Sequence, residues 1–322
     1  MTQDNHSKVT VAIPTFNRAS LLGQTIDSVL KQSYKNFEII VSDNCSSDNT
    51  GALVAGYHDK RIVYFRQIEN LGMVGNWNFC LQQATGEFFL LLSDDDLLEQ
   101  DAIERLLSVF SDEAVVLSYS PVSYIDKDGV PMPGISMRSP LAESGSDFIT
   151  SALSGKRVVF PAAAIYRTRI ALQLGGYPPI GTATDLALHL MVAMRGQVVH
   201  NPRPLVRYRM HSQSLSSTKQ AIESQENLVK WCKSDSCPLK RFEAQIARRS
   251  VNFIFIWGRL NAFEGNQESA GLALKMLQRM VPSPKWAAWF YIFNTPFVRV
   301  AAKIFAQIKH FAKQLIFRQH LS

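Results

Sequence analysis

Apolar runs and polar breaks alternate through the first third of the chain. "VTVAI" (9–13) reads as a strand ended by Pro14, and Leu21, Leu22, Thr25, Ile26, Val29 and Leu30 then recur at helical spacing. "FEIIV" (37–41) reads as a second strand, followed by "SDNCSSDNT", which has loop and helix-start chemistry. A short amphipathic stretch leads to a third strand, "IVYF" (62–65), and residues 73–84 read as a helix with Gly86 as a break after it. "EFFLLL" (87–92) is a fourth strand, "DAIERLLSVF" (101–110) a helix and "AVVLSY" (114–119) a fifth strand. Strands alternating with helices predict an α/β fold with a mostly parallel sheet covered on both faces.

Beyond residue 120 the pattern weakens. Residues 120–160 are rich in Pro, Gly and Ser and are expected to form loops with a hairpin. Residues 183–195 predict a helix with Leu186, Leu190, Ala193 and Met194 on one apolar face, and 220–280 read as mainly helical. There is no internal repeat or low-complexity tract, and no uninterrupted apolar run of about 18 residues that would mark a membrane span.

Ligands of open α/β sheets sit at the carboxyl ends of the strands, and polar clusters fall there: "PTFNR" after the first strand, "SDN" after the second and "SDDD" after the fourth. The run Asp94–Asp95–Asp96 is the strongest signal. Adjacent carboxylates repel, and more so as water is excluded, so something positive should offset them. Oxygen-rich sites suit Mg²⁺ or Mn²⁺ shared with substrate phosphates; the competing reading is an exposed acidic helix start. Asp43 and Asn44 could meet a nucleobase or ribose, whereas Ser46, Ser47 and Asp48 read better as helix caps.

Composition changes this picture little, except at one end. The 322 residues are 46% hydrophobic and 19% charged, an ordinary globular balance. Of the net charge of +7, six charges lie in 281–322, which holds Lys285, Arg299, Lys303, Lys309, Lys313 and Arg318 and no acid. Within it "PKWAAWFYIF" (284–293) is aromatic, and Ile304, Phe305, Ile308, Phe311, Ala312 and Leu315 share a helical face. Such segments fit binding at a membrane surface; a helix packed on the domain with its lysines in water is the other reading. The start "MTQDNHSKV" has no apolar leader, so Cys45, Cys80, Cys232 and Cys237 are expected to be free thiols in the cytoplasm.

"VAIPTFNRASLLGQTIDSVLKQSYKNFEIIVSDNCSSDNT" and "NLGMVGNWNFCLQQATGEFFLLLSDDD" resemble the amino-terminal half of the family 2 glycosyltransferases over about residues 8–115. "LGGYPPIGTATDLALHLMVAMRG" and "VRYRMHSQSLS" extend the resemblance, more weakly, to about residue 216. It implies a GT-A fold: a Rossmann-like nucleotide-sugar half (8–115), an acceptor half (116–216), then a helical extension (217–280) and the basic tail (281–322). It implies donor-binding positions at Pro14, Thr15, Asn17, Arg18, Asp43, Asn44, Asn70, Gly72, Asn78, Asp94 and Arg207. A divalent cation, Mn²⁺ or Mg²⁺, would sit on Asp95, Asp96 and His211. Ser93 replaces the first acid of the family's common Asp-x-Asp-Asp form. Asp185 matches the inverting base, with Thr184 where a Glu is usual; as a residue it could equally cap its helix.

The expectation is therefore an inverting, metal-dependent hexosyltransferase of bacterial surface-polysaccharide synthesis. It would use a nucleoside-diphosphate sugar and a saccharide or lipid-linked oligosaccharide acceptor, and its tail would hold it, in the cytoplasm, on the inner face of the cell membrane. A sugar-nucleotide pyrophosphorylase would want a glycine-rich loop after the first strand, and "PTFNRAS" has no Gly. A non-catalytic saccharide-binding scaffold on a degenerate transferase fold is the alternative from another class. Nucleic acid is disfavoured as a partner because the basic charge lies in a Trp- and Phe-rich tail.

Overall fold

The computed structural model describes residues 7–133, 139–210, 219–264 and 266–281. Among these described residues twelve strands form: β1 (Val9–Thr15), β2 (Phe37–Asp43), β3 (Ile62–Arg66), β4 (Phe88–Leu91), β5 (Leu97–Leu98), β6 (Val115–Tyr119), β7 (Val122–Ile125), β8 (Pro131–Met132), β9 (Ala142–Ser144), β10 (Ala164–Arg167), β11 (Gln197–His200) and β12 (Val206–Arg209). The helices are α1 (Ala19–Leu30), α2 (Thr50–Ala55), α3 (Gly72–Gln83), α4 (Ala102–Leu107), α5 (Gly145–Leu153), α6 (Thr168–Gln173), α7 (Thr184–Ala193), α8 (Lys219–Lys233), α9 (Glu243–Glu264) and α10 (Gln267–Met280).

The main sheet runs β3-β2-β1-β4-β10-β6-β11-β9. Its first four strands are parallel neighbours, as are β6 and β11, while β10 is antiparallel to both β4 and β6 and β9 is antiparallel to β11. The sheet is thus mixed, because β10 enters between two strands that the sequence pattern alone would leave adjacent. A smaller sheet, β5-β12-β7-β8, stands beside it. The acidic run links β4 of one sheet to β5 of the other.

Two cores cover the two sheet faces. Val9, Val11 and Ile13 of β1, with Phe88 and Leu90 of β4, pack with Leu22, Ile26 and Val29 of α1 and Ile103 and Leu106 of α4. Their alternate neighbours Ala12, Phe89 and Leu91 face the other way, against α3, α5 and α7. The period of two inside uniformly apolar strands is what a sheet buried on both sides requires. Leu228 and Cys232 of α8 and Ile246 of α9 belong to this second core, so the first helices of the extension share the interior of the α/β domain. Ile222, Ile254, Ala273, Met276 and Leu277 make a small separate cluster joining α8, α9 and α10.

Helix α5 lies in the stretch expected to be loops. The Ser144 hydroxyl accepts the Asp147 N–H at its start, and Phe148, Ile149, Ala152 and Leu153 are buried at helical spacing. Ser and Gly around a single apolar stripe hid it. The four cysteines are free thiols. Among the described residues no helix is long and apolar enough to cross a membrane. Apart from Val281, the basic tail lies outside the described residues, as does His211.

Candidate functional site

A cleft of about 750 Å³ opens at the carboxyl ends of β1 and β4. Pro14, Thr15 and Arg18 line it from the first loop, Asn44 and Asn70 from the neighbouring loops, Asp94 and Asp95 from the acidic run, and Asp185 from α7. These eight expected positions, from distant parts of the chain, are brought together.

The first two loops are tied to each other. Asn17 takes a left-handed φ of 54°, which Asn tolerates better than most residues. Its Oδ1 accepts the Ser47 N–H at 2.8 Å, and its own N–H donates to Ser46 Oγ at 2.9 Å. Asp43 accepts the Ser46 N–H at 2.8 Å on one oxygen and the Tyr64 hydroxyl at 2.6 Å on the other. That contact, with burial as the larger cause, raises the Tyr64 phenol well above its ordinary value. Asn44 donates to Asn70 Oδ1 at 2.9 Å and accepts the Leu71 N–H at 2.8 Å, which fixes the Asn-Leu-Gly turn.

The clustered acids are offset by arginines. Arg18 Nη1 donates to Asp95 Oδ2 at 2.5 Å and to Asp94 Oδ1 at 3.1 Å. Burial still pushes Asp94 up to about 6, against the pull of Arg18. Asp96 turns inward: its Oδ1 accepts the Arg209 N–H at 2.9 Å, and its Oδ2 is buried without a partner among the described residues. Burial, reinforced by Asp95, raises its pKa well above the ordinary carboxylate value. The buried Arg209 also donates to the Asp95 carbonyl at 2.8 Å and to Gln24 Oε1 at 3.0 Å, locking the acidic loop against β12.

Asp94 and Asp95 fit a divalent cation. They are two carboxylates converging on one positive group at a cleft wall, and Mg²⁺ or Mn²⁺ commonly takes one or two carboxylates plus substrate phosphates. Among the described residues no group of three or more His, Cys, Asp or Glu forms a ready-made ligand set. Asp96 is not on the cleft wall.

Asp185 sits in the first turn of α7, not at its cap; its Oδ1 accepts the Leu186 N–H at 2.7 Å. Burial pushes it up to about 6, opposed by that hydrogen bond and by the charge of Arg249. One turn on, His189 lines the same cleft; its two ring nitrogens have no hydrogen-bond partner among the described residues, and burial lowers it to about 4, so it is neutral at pH 7. Gln225 of α8 and Arg249 of α9 complete this wall, with Arg249 Nη1 donating to Gln225 Oε1 at 3.3 Å. Sequence reasoning missed these three. The i, i+4 spacing from Asp185 could have flagged His189; Gln225 and Arg249 belong to no motif.

Other expected positions lie elsewhere. Arg207 pairs with Glu99 at 3.1 Å, away from the cleft wall. Asn78 donates to the Tyr177 carbonyl and accepts the Tyr177 N–H, both at 2.8 Å, and with Gly72 lines a neighbouring cleft.

A mixed α/β sheet with paired carboxylates beyond a parallel strand is the architecture of a GT-A-type transferase. Residues 10–172 match Glycosyl transferase family 2, and the chain belongs to that family. It is 28% identical over 215 residues to TuaG of Bacillus subtilis, provisionally named a teichuronic acid biosynthesis glycosyltransferase, covering 66% of this chain and 82% of TuaG. It is also 28% identical over 224 residues to WfaP of Escherichia coli, a UDP-Glc:alpha-D-GlcNAc-diphosphoundecaprenol beta-1,3-glucosyltransferase, covering 69% of this chain and 85% of WfaP. S. aureus TarS (residues 1–349) shares the fold, with a TM-score of 0.64 at 19% identity over 93% of this chain and 91% of that one.

Proposed function

We propose that the protein is an inverting, metal-dependent glycosyltransferase that moves a hexose from a nucleoside-diphosphate sugar to a hydroxyl of a lipid-linked saccharide during surface-polysaccharide synthesis. The observation that carries this reading is that Asp185 and the Arg18–Asp94–Asp95 cluster line one cleft. The acceptor class is drawn from WfaP, whose name specifies a diphosphoundecaprenol-linked sugar.

In this account, the loops carrying Pro14, Thr15, Asn44 and Asn70 hold the nucleotide, in the half before residue 116. Asp94 and Asp95 would hold the cation, which supplies positive charge to the departing diphosphate. Arg18 adds a fixed positive charge beside them. Asp185, ionised above about pH 6, takes the proton of the attacking hydroxyl. Arg249 favours that ionised form. Helices α8 and α9 close the cleft wall, and the basic tail would keep the enzyme at the cytoplasmic face of a membrane.

The test is transfer from UDP-glucose, UDP-GlcNAc and GDP-mannose to a synthetic GlcNAc-diphosphate-lipid with Mn²⁺, with the anomeric configuration read by NMR. An inverted product formed by wild type and absent with Asp185→Asn is expected. A retained configuration, or full transfer by Asp185→Asn, contradicts the assignment.

A further inference from the structure

A second cleft, of about 890 Å³, adjoins the first. The two share Met73, Thr182 and Gln220, and Thr182 lies three residues before Asp185. We propose that this second cleft is a saccharide-binding groove for the acceptor, with its recognition wall supplied by α8 of the helical extension. The proposal rests on the glycosyltransferase reading above and gives the acceptor one wall from the 116–216 half and one from the helical extension.

Of the α8 residues that line the cleft, Gln220, Glu223, Asn227 and Trp231 recur at intervals of three or four, with Ser224 beside them. That spacing puts them on one helical face. The first three are exposed, and their side chains make no hydrogen bond or ion pair among the described residues; Trp231 is half-buried against the core. A solvated helix face would also be polar. It would not need to face a cleft continuous with a catalytic one, nor to end in an indole.

The opposite wall is held in place by specific bonds. Asn78 clasps the Tyr177 backbone, and Ser224 Oγ accepts the Thr182 N–H at 2.8 Å. The glycines of this loop cannot be enlarged: Gly176 and Gly181 have φ of +74° and +80°, and a Cβ would lie 2.4 Å from Asn78 Oδ1 and 2.3 Å from Ser224 Oγ respectively. The loop is therefore pressed between α3 and α8, with its Pro178 and Pro179 facing the cleft.

Charge chooses the ligand class. Among the described residues the second cleft is lined by one carboxylate, Glu223, and by no Lys or Arg, whereas Arg18, Arg157 and Arg249 line the first. A phosphate or nucleotide gains nothing there. A neutral sugar does: Gln220 and Asn227 each offer a donor and an acceptor, Glu223 accepts, and an indole gives an apolar face for a pyranose ring. The cleft's continuity at Thr182 gives a bound saccharide a route to present a hydroxyl toward Asp185.

The experiment is saturation-transfer NMR on the full chain with UDP and Mn²⁺ present. The probes are the methyl glycosides of glucose, galactose, GlcNAc and GalNAc. At least one glycoside should receive saturation on wild type. That signal should fall by about tenfold in Trp231→Ala and in Glu223→Ala/Asn227→Ala, with the UDP signal unchanged. The double variant alters only exposed side chains, so it guards against a folding defect in the tryptophan variant. No glycoside signal beside a clear UDP signal, or equal glycoside signals in all three proteins, overturns the groove. Loss of the UDP signal on wild type would instead contradict the transferase reading, and the groove with it.

Discussion

Arg18 and Asp95 meet through a 2.5 Å ion pair that joins the loop after β1 to the loop after β4. The same guanidinium nitrogen reaches Asp94, so one arginine holds together two carboxylates that would otherwise repel. Removing it should expose that repulsion. Arg18→Ala is expected to lose on the order of 1–2 kcal/mol of stability, discounted because the arginine is partly exposed. Mn²⁺ without nucleotide should then raise the melting temperature of Arg18→Ala more than that of wild type, since the cation would replace the lost charge. Equal metal shifts would show that the two carboxylates do not share a cation.

Asp185→Asn should separate activity from stability. A positioned base contributes about 10²–10⁴-fold in rate, so kcat should fall by that order. The folded-state value of about 6 lies above the ordinary 3.8, so ionising Asp185 costs stability. The cost sets in as pH rises from 3.8 toward 6 and is complete above. At pH 8 the amide variant should therefore be more stable than wild type, by on the order of 1–3 kcal/mol. Arg249 keeps its bond to Gln225 in the variant. Thermal denaturation at pH 8 and pH 4 checks the sign: the advantage should shrink at pH 4.

The pH profile carries a second signature. At saturating donor, kcat should rise with pH through about 6 and level off above it, as Asp185 loses its proton. Asp94 is also pushed to about 6, so donor affinity is expected to fall over the same acid range. Measuring nucleotide affinity and kcat separately across pH 5–8, about three units, resolves the two groups. A flat kcat would remove Asp185 as the base.

Asn78→Ala should act on the fold rather than the nucleotide. It deletes two hydrogen bonds to the Tyr177 backbone, each worth about 1 kcal/mol, and leaves that backbone partly unpaired. A lower melting temperature with unchanged nucleotide affinity is the expected outcome of calorimetry and titration. Weakened nucleotide affinity at full stability would return Asn78 to the donor site.

The basic tail makes its own prediction. Replacing Lys303, Lys309, Lys313 and Arg318 with Gln should weaken sedimentation with vesicles of anionic lipid, each charge being worth about 1 kcal/mol near such a surface. Unchanged sedimentation would dismiss the tail as the membrane contact.

The sequence made the strand–helix alternation of the first half legible, because β1, β2 and β4 are largely apolar on both faces and are followed by polar loops, although β1 runs through Pro14 to Thr15 rather than ending at the proline. It did not reveal β10, whose "AIYR" is short and whose antiparallel place depends on strands far away in the chain. The site divided the same way. Arg18, Asp94, Asp95 and Asp185 were legible from local motifs. His189, Gln225 and Arg249 were not: His189 belongs to no motif, and α8 and α9 reach the cleft only through tertiary packing on the α/β core. Asn78 and Arg207 resembled ligand contacts in sequence, but their polar atoms engage Tyr177 and Glu99.

The most direct test of the central claim is a thermal-shift measurement with UDP, GDP, CDP and dTDP, each with and without Mn²⁺, on wild type and Asp95→Asn. A ligand that binds only the native state raises the melting temperature. The account predicts that one nucleotide stabilises wild type only when Mn²⁺ is present, and that Asp95→Asn loses this response. Stabilisation that ignores metal and survives in Asp95→Asn, or no response to any nucleotide at millimolar concentration, would contradict it.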